Sequence, residues 1–103
     1  MNLLDIHKNQ IYELCEIHNV KELYLFGSIL TDKFNDSSDI DMLIQFNQIE
    51  LMKYFDNYMG LKEKFEKILN RQVDLVENQA IKNPIFRKVL DREKRIFYER
   101  KSA

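Results

Sequence analysis

The sequence predicts a small α/β (α+β) fold in which helices flank a mixed β-sheet. Two observations lead to this class. Long stretches place apolar residues at helical three- and four-residue spacing, and shorter apolar runs of strand length lie between them. The chain of 103 residues contains only two Gly and one Pro, shows no internal repeat and has no Gly- or Ser-rich linker. We therefore expect residues 1–103 to form a single domain.

The first predicted element is an amphipathic helix over residues 3–18. Its apolar stripe consists of Leu4, Ile11, Leu14, Cys15 and His18. Residues 23–26 form a short apolar run with aromatic content that stops at Gly27, which predicts a buried strand. Residues 29–38 are polar and rich in turn-forming residues, so we expect a short helical turn and a loop there.

A second strand is predicted from Asp39 onward, because apolar and polar residues alternate. One face carries Ile40, Met42, Ile44 and Phe46, and the other carries Asp39, Asp41, Leu43 and Gln45. Residues 49–70 return to helical spacing, with Gly60 as the expected kink or break. The apolar positions of this helix are Leu51, Met52, Phe55, Tyr58, Met59, Phe65, Ile68 and Leu69. We expect Met52, Tyr54, Tyr58 and Met59 to belong to a core stripe rather than to a partner surface.

The last third of the chain predicts a strand, a helix and a strand. Residues 72–77 form an apolar run around Asp74. Asn83 and Pro84 are a typical helix start, and the expected buried stripe of that helix is Phe86, Val89 and Leu90. Residues 95–99 either prolong the helix or form a strand, and the consecutive β-formers favour the strand.

Composition and charge exclude several functional classes. A net charge of −1 argues against a protein that coats DNA or RNA, so no direct DNA binding is expected. The single cysteine cannot form an internal disulfide, and no signal-peptide-like or membrane-spanning stretch is present, so a cytoplasmic location is expected. The first 60 residues carry four lysines against ten acidic residues, whereas residues 87–101 carry seven basic and three acidic residues.

Most of the candidate binding and catalytic residues lie between residues 27 and 41. A strand that ends in Gly27-Ser28 offers backbone N–H groups and a hydroxyl to phosphate oxygens, and a glycine lets the backbone approach the ligand. Asp39 and Asp41 alternate on a strand, so their carboxylates point the same way and repel each other. A divalent cation would relieve this repulsion, and oxygen ligands suit Mg²⁺ or Mn²⁺.

Asp74 is the candidate third carboxylate of this site. It lies between Val73 and Leu75, so we expect a buried acid that needs a partner. A metal shared with Asp39 and Asp41 would serve, and the acid could also act as a general base for an attacking hydroxyl. Each signal alone has a simpler explanation: an ordinary turn for Gly-Ser, a solvated face for Asp-x-Asp, and an edge-strand charge for Asp74.

The combination resembles the nucleotidyltransferase superfamily of DNA polymerase beta, and specifically its minimal nucleotidyltransferases. The resemblance rests on the stretches 25–28, 38–44 and 73–76, and it extends over nearly the whole chain. It implies the polymerase-beta-like nucleotidyltransferase fold, with Asp39, Asp41 and Asp74 as catalytic and metal-binding residues and Gly27 and Ser28 at the triphosphate. It also implies Mg²⁺- or Mn²⁺-dependent transfer of a nucleoside monophosphate to a hydroxyl, with release of pyrophosphate.

Stand-alone members of that family are typically paired with HEPN-type RNase toxins. The resemblance therefore implies an antitoxin that transfers AMP from ATP to a toxin hydroxyl, expected to be a tyrosine, within a hetero-oligomer. One stretch departs from the family, which usually continues after Gly-Ser with a small residue, Arg and Gly. Here residues 29–33 read Ile-Leu-Thr-Asp-Lys, and Lys33 is the candidate substitute at the triphosphate. Two alternatives stay open: neutralisation of the partner by occlusion alone, and nucleotidyl transfer to a small molecule or an RNA end.

The remaining chemistry-bearing residues have simpler expected roles. We expect His7 and His18 on a helix surface and Cys15 as a small core residue. The basic residues near the C-terminus are expected to form a solvated face, with partner docking or phosphate steering as the alternative. They are Arg87, Lys88, Arg92, Lys94 and Arg95.

Overall fold

The computed structural model describes residues 3–101, and it confirms the predicted class. Four strands form one mixed sheet in the order β3-β2-β1-β4. The strands are β1 (Val20–Phe26), β2 (Ile40–Phe46), β3 (Val73–Glu77) and β4 (Arg95–Glu99). The central strand β1 is antiparallel to both β2 and β4, whereas β2 and β3 are parallel.

Four α-helices flank this sheet. They are α1 (Leu3–Ile6), α2 (Lys8–Ile17), α3 (Leu51–Leu69) and α4 (Pro84–Glu93). Single turns of 3-10 helix follow β1 at Gly27–Leu30 and β3 at Asn78–Ala80. The first predicted helix is thus interrupted at His7, and its C-cap is His18. No helix among residues 3–101 is long and apolar enough to cross a membrane.

The main core lies between one sheet face and the helices α1 to α3. The alternating residues of β2 predicted to be apolar, Ile40, Met42, Ile44 and Phe46, are all buried there. Helix α3 contributes Leu61, Phe65 and Leu69. Cys15 is fully buried, as predicted, and burial raises the pKa of its thiol to about 12, so it behaves as a small apolar residue.

Helix α4 packs against the opposite face of the sheet. Phe26 is the register partner of Asp41, and directly opposed residues of antiparallel strands project to the same face. The ring of Phe26 contacts the ring of Phe86 edge-on, with centroids 6.3 Å apart. The start of α4 is therefore close to the sheet face that carries Asp41. Asn83 caps this helix as predicted, its side-chain oxygen accepting hydrogen bonds from the backbone N–H groups of Ile85 and Phe86.

Gly60 does not break α3, which is continuous for 19 residues, so the expected break is wrong. Two further expectations about helix packing are also wrong. The expected core stripe of α3 fails at its start, where Leu51, Met52 and Phe55 are 88%, 92% and 68% exposed, although Tyr54 and Tyr58 do pack against the core. In α4 only Leu90 of the expected stripe is buried, while Phe86 and Val89 are exposed. Helical spacing identified the apolar faces of α3 and α4 correctly. It could not show which part of each face is covered by other elements.

His18 is a further correction, because it is a buried residue rather than a surface one. Its Nδ1 lies 3.0 Å from Oδ1 of Asn57, and its Nε2 lies 3.1 Å from Nζ of Lys64. A neutral ring with its proton on Nδ1 satisfies both contacts. Burial, followed by the charge of Lys64, lowers the pKa of His18. This histidine therefore joins the C-terminus of α2 to α3 as a structural residue.

Candidate active site

Three predicted site residues converge where β1 ends and β2 and β3 begin. Asp41 is the second residue of β2, and its register partner in the parallel strand β3 is Asp74. Asp39 immediately precedes β2. Parallel strands in register place corresponding side chains on the same face, so Asp41 and Asp74 stand side by side although 33 positions separate them in sequence.

The carboxyl group of Asp41 is affected by burial and by both neighbouring carboxylates. Burial raises the pKa of the Asp41 carboxyl, and the negative charges of Asp74 and Asp39 raise it further. Asp41 is half-buried, whereas Asp39 and Asp74 are exposed. The expectation that Asp74 is buried is therefore wrong: β3 is an edge strand, and its polar face is open to solvent.

Gly27 provides a close approach of backbone to Asp41. It has a φ of +80°, and a Cβ at this position would overlap Oδ2 of Asp41. The chain therefore turns against the carboxylate in a conformation that favours glycine. Thr31 closes the following 3-10 turn, because its backbone N–H and its hydroxyl both donate to the carbonyl oxygen of Ser28, at 2.9 Å and 2.8 Å. The Ser28 hydroxyl takes no part in that closure.

No group of three or more Asp, Glu, His or Cys side chains within residues 3–101 is placed to hold a metal ion. The observation that favours a cation here is the Asp41 carboxyl, which is packed against Gly27 and whose pKa is raised by burial and by the negative charges of Asp74 and Asp39. Mg²⁺ is usually held by one or two carboxylates together with substrate phosphates, so it does not need three protein ligands. Asp39, Asp41 and Asp74 as its ligands stay a prediction.

Sequence reasoning missed Arg71, which fixes the loop before Asp39. Its Nη1 donates to the carbonyl oxygens of Asn35 and Ser38, at 3.0 Å and 2.9 Å. The guanidinium also lies over the ring of Phe34, 4.6 Å from its centroid. Arg71 precedes β3, so it joins the Asp39 loop to the strand that carries Asp74. No local sequence motif predicts this contact, because Arg71 and the loop before Asp39 are distant in sequence.

Lys33 makes no contact that supports its predicted role at the triphosphate. Its backbone N–H donates to the Thr31 hydroxyl, and its exposed side chain is outside the cavity that borders Gly27. That cavity is lined instead by two arginines, Arg92 and Arg95, from the basic segment expected to form a solvated face. Lys33 as a triphosphate ligand stays a prediction.

Comparisons with known proteins concern the family and the fold of this chain. Residues 9–103 match the family described as Polymerase beta, Nucleotidyltransferase. The protein adenylyltransferase MntA of Thermococcus cleftensis is 34% identical over 90 residues, which cover 86% of this chain and 84% of the relative. A solved structure provisionally described as a minimal nucleotidyltransferase is 26% identical with a TM-score of 0.73, covering 91% of this chain and 94% of its own.

A further solved structure shares the fold alone. It contains a tri-AMPylated HEPN toxin of Shewanella oneidensis in complex with an MNT antitoxin. The similarity has a TM-score of 0.61 at 19% identity, and it covers 93% of this chain and 72% of that one.

Proposed function

Because the chain belongs to the polymerase beta nucleotidyltransferase family, we propose that it transfers AMP from ATP to a hydroxyl of a HEPN-type toxin and so acts as its antitoxin. The observation that carries the proposal is the convergence of Asp39, Asp41 and Asp74 beside Gly27. Support for the protein acceptor comes from the relative named as a protein adenylyltransferase and from the AMPylated toxin in the Shewanella complex.

The reaction is an in-line displacement at the α-phosphorus. The acceptor oxygen forms a bond to that phosphorus, and the bond from it to the oxygen bridging to the β-phosphate breaks. Pyrophosphate leaves with the bonding electrons, and the acceptor proton passes to a carboxylate, a role that we assign to Asp74, the exposed register partner of Asp41. A bound Mg²⁺ or Mn²⁺ supplies neutralisation of phosphate charge. Gly27 and Ser28 would hold the phosphates, and Asp39, Asp41 and Asp74 would hold the metal.

An exposed apolar surface beside the carboxylates favours a protein acceptor. Ile85, Phe86 and Val89 of α4 are 74%, 42% and 37% exposed, and Phe86 contacts Phe26 next to Asp41. A tyrosine presented by a folded partner could pack on such a surface while its hydroxyl reaches the site. The acceptor residue is expected to be a tyrosine for this reason and because of the family resemblance.

The test is transfer of label to a purified HEPN-type toxin mixed with this protein. With Mg²⁺, ATP labelled at the α-phosphate should label the toxin, and ATP labelled at the γ-phosphate should not. Asp39→Asn/Asp41→Asn should reduce labelling at least a hundredfold. Asp32→Asn/Asp36→Asn is the matched control, because it removes two exposed carboxylates from the same loop. Equal labelling by the wild type and the Asp39/Asp41 variant would refute the proposal.

Occlusion without catalysis is the second candidate, and it is favoured by the missing arginine after Gly-Ser. If the Asp39/Asp41 variant still silences the toxin RNase fully, occlusion is the mechanism of neutralisation. Label that appears on an RNA end or a small molecule instead of the toxin would indicate the third candidate.

A further inference from the structure

A cavity of about 470 Å³ borders the candidate active site at Gly27. Its lining consists of Gly27, Leu30, Thr31, Arg92, Glu93 and Arg95. Three of these residues belong to the turn that follows β1, and the other three come from the end of α4 and the start of β4. The cavity is thus formed by two segments that are more than 60 positions apart in sequence.

The strand register explains why the arginines reach this turn. Arg95 opens β4 and pairs with Leu25 of β1, two residues before Gly27. Arg92 lies in the last turn of α4, and the single residue Lys94 connects that helix to Arg95 at the start of β4. Gly27 forms part of the cavity wall and also contacts Asp41, so the cavity adjoins the carboxylates through this one residue.

The two guanidinium groups keep donor capacity for a ligand. Within residues 3–101, the hydrogen bonds of the Arg95 side chain are made by Nη1, which donates to the carbonyl oxygens of Glu93 and Lys94. Arg92 has one contact to an acid, from Nη2 to Glu93 at 3.5 Å, and both side chains of that pair are more than half exposed. Such an exposed pair is weak and is easily exchanged for a stronger anion.

We propose that Arg92 and Arg95 form an anion subsite that binds the β- and γ-phosphates of the nucleoside triphosphate. The proposal rests on the nucleotidyl transfer proposed above. Guanidinium groups bind phosphate oxygens through paired N–H donors, which a single lysine ammonium cannot do. The family usually has an arginine shortly after Gly-Ser, and residues 29–33 contain none. Arg92 and Arg95 supply guanidinium groups from the C-terminal segment instead. The subsite also places positive charge in the cavity that adjoins Gly27, where the leaving pyrophosphate would be bound.

A second cavity also contains an arginine, but that arginine is held by backbone carbonyl oxygens. It has a volume of about 810 Å³ and lies at the other end of β1, where Arg100 is its arginine. Arg100 is engaged: its Nε donates to the carbonyl oxygen of Val20, and its Nη2 donates to those of Cys15 and Glu16. That arginine anchors the C-terminal segment to α2 and β1, whereas Arg92 and Arg95 border the site.

The test measures binding rather than turnover. Isothermal titration with ATP, AMP and inorganic tripolyphosphate, in Mg²⁺ and without any acceptor protein, compares the wild type with Arg92→Gln/Arg95→Gln. We expect the variant to bind ATP and tripolyphosphate at least tenfold more weakly, with AMP affinity changed less than twofold. Lys21→Gln/Lys67→Gln removes the same charge from exposed positions elsewhere and should change all three affinities less than threefold.

Two results would overturn the subsite. One is an ATP affinity that falls no more than in the lysine control, and the other is a loss of AMP affinity as large as the loss of ATP affinity. If the double variant does not fold, Arg92→Gln alone is measured, because that side chain has only its exposed contact to Glu93. Wild-type protein that binds none of the three phosphates would overturn the proposed function as well. Normal ATP binding in both proteins would overturn the subsite alone.

Discussion

A methyl group on Gly27 would overlap Oδ2 of Asp41 and would lie 3.2 Å from its Cγ. The glycine also has a φ of +80°, in the region that side chains disfavour. Two independent constraints therefore exclude a larger residue at the point where the backbone meets the central carboxylate. Gly27 and Asp41 are packed against each other, so we expect a substitution at either residue to displace the other.

Gly27→Ala is expected to lower the free energy of unfolding by about 1–3 kcal/mol, because it adds left-handed strain and displaces Asp41. We expect AMP transfer to fall at least tenfold. Urea unfolding and the labelling assay measure the two effects. Gly60→Ala is the matched control, since its Cβ would meet Cε1 of His18 at an ordinary 3.5 Å and helix propensity favours alanine. A Gly27 variant as stable and as active as the Gly60 variant would contradict this reading.

Asp41→Asn should raise the midpoint of thermal unfolding in EDTA while it abolishes transfer. The wild-type carboxylate is half-buried and repelled by Asp74 and Asp39, so its negative charge opposes folding when no cation is bound. Added Mg²⁺ should then raise the midpoint of the wild type more than that of the variant. Thermal melts followed by circular dichroism, with and without Mg²⁺, provide the measurement. Equal Mg²⁺ responses in both proteins would argue against a metal at Asp41.

Arg71→Ala should reduce transfer about tenfold, because it frees the loop that ends at Asp39 from two hydrogen bonds and a ring contact. Arg71→Lys should recover part of the loss, since an ammonium can donate to the carbonyl oxygens but lacks the planar fork. The informative measurement is the Mg²⁺ concentration for half-maximal rate, which should rise in both variants. An unchanged Mg²⁺ requirement would indicate that Arg71 contributes to stability alone.

His18 should make the protein less stable in mild acid. The folded state lowers the pKa of this ring below its ordinary value of about 6.5, so the unfolded chain takes up its proton first. Stability from the neutral ring is complete above that value and is lost as the pH falls below it toward the folded-state pKa. His18→Gln should flatten the change in unfolding free energy between about pH 7 and pH 5. A slope in His18→Gln equal to that of the wild type would contradict this prediction.

The local pattern was enough to predict the strands, the Asn83 cap and the face of β2 that carries Asp41. These features depend on alternation and on the chemistry of neighbouring residues. The exposure of Asp74 was not predictable, because it depends on β3 being an edge strand. Arg71 was missed, and the burial of His18 was predicted wrongly. Each contacts a segment at least 30 positions away, so its role depends on how the elements are assembled and not on its neighbours in sequence.

The parallel pairing of Asp41 with Asp74 has a consequence for the order of folding. Strand β3 reaches its place beside β2 only after the 19-residue helix α3 has crossed over, and such pairing forms more slowly than an adjacent hairpin. A folding intermediate with β1 and β2 paired would hold Asp39 and Asp41 but no third carboxylate. Tight cation binding would then appear late in refolding, so the time course of Mg²⁺ capture would record completion of the sheet.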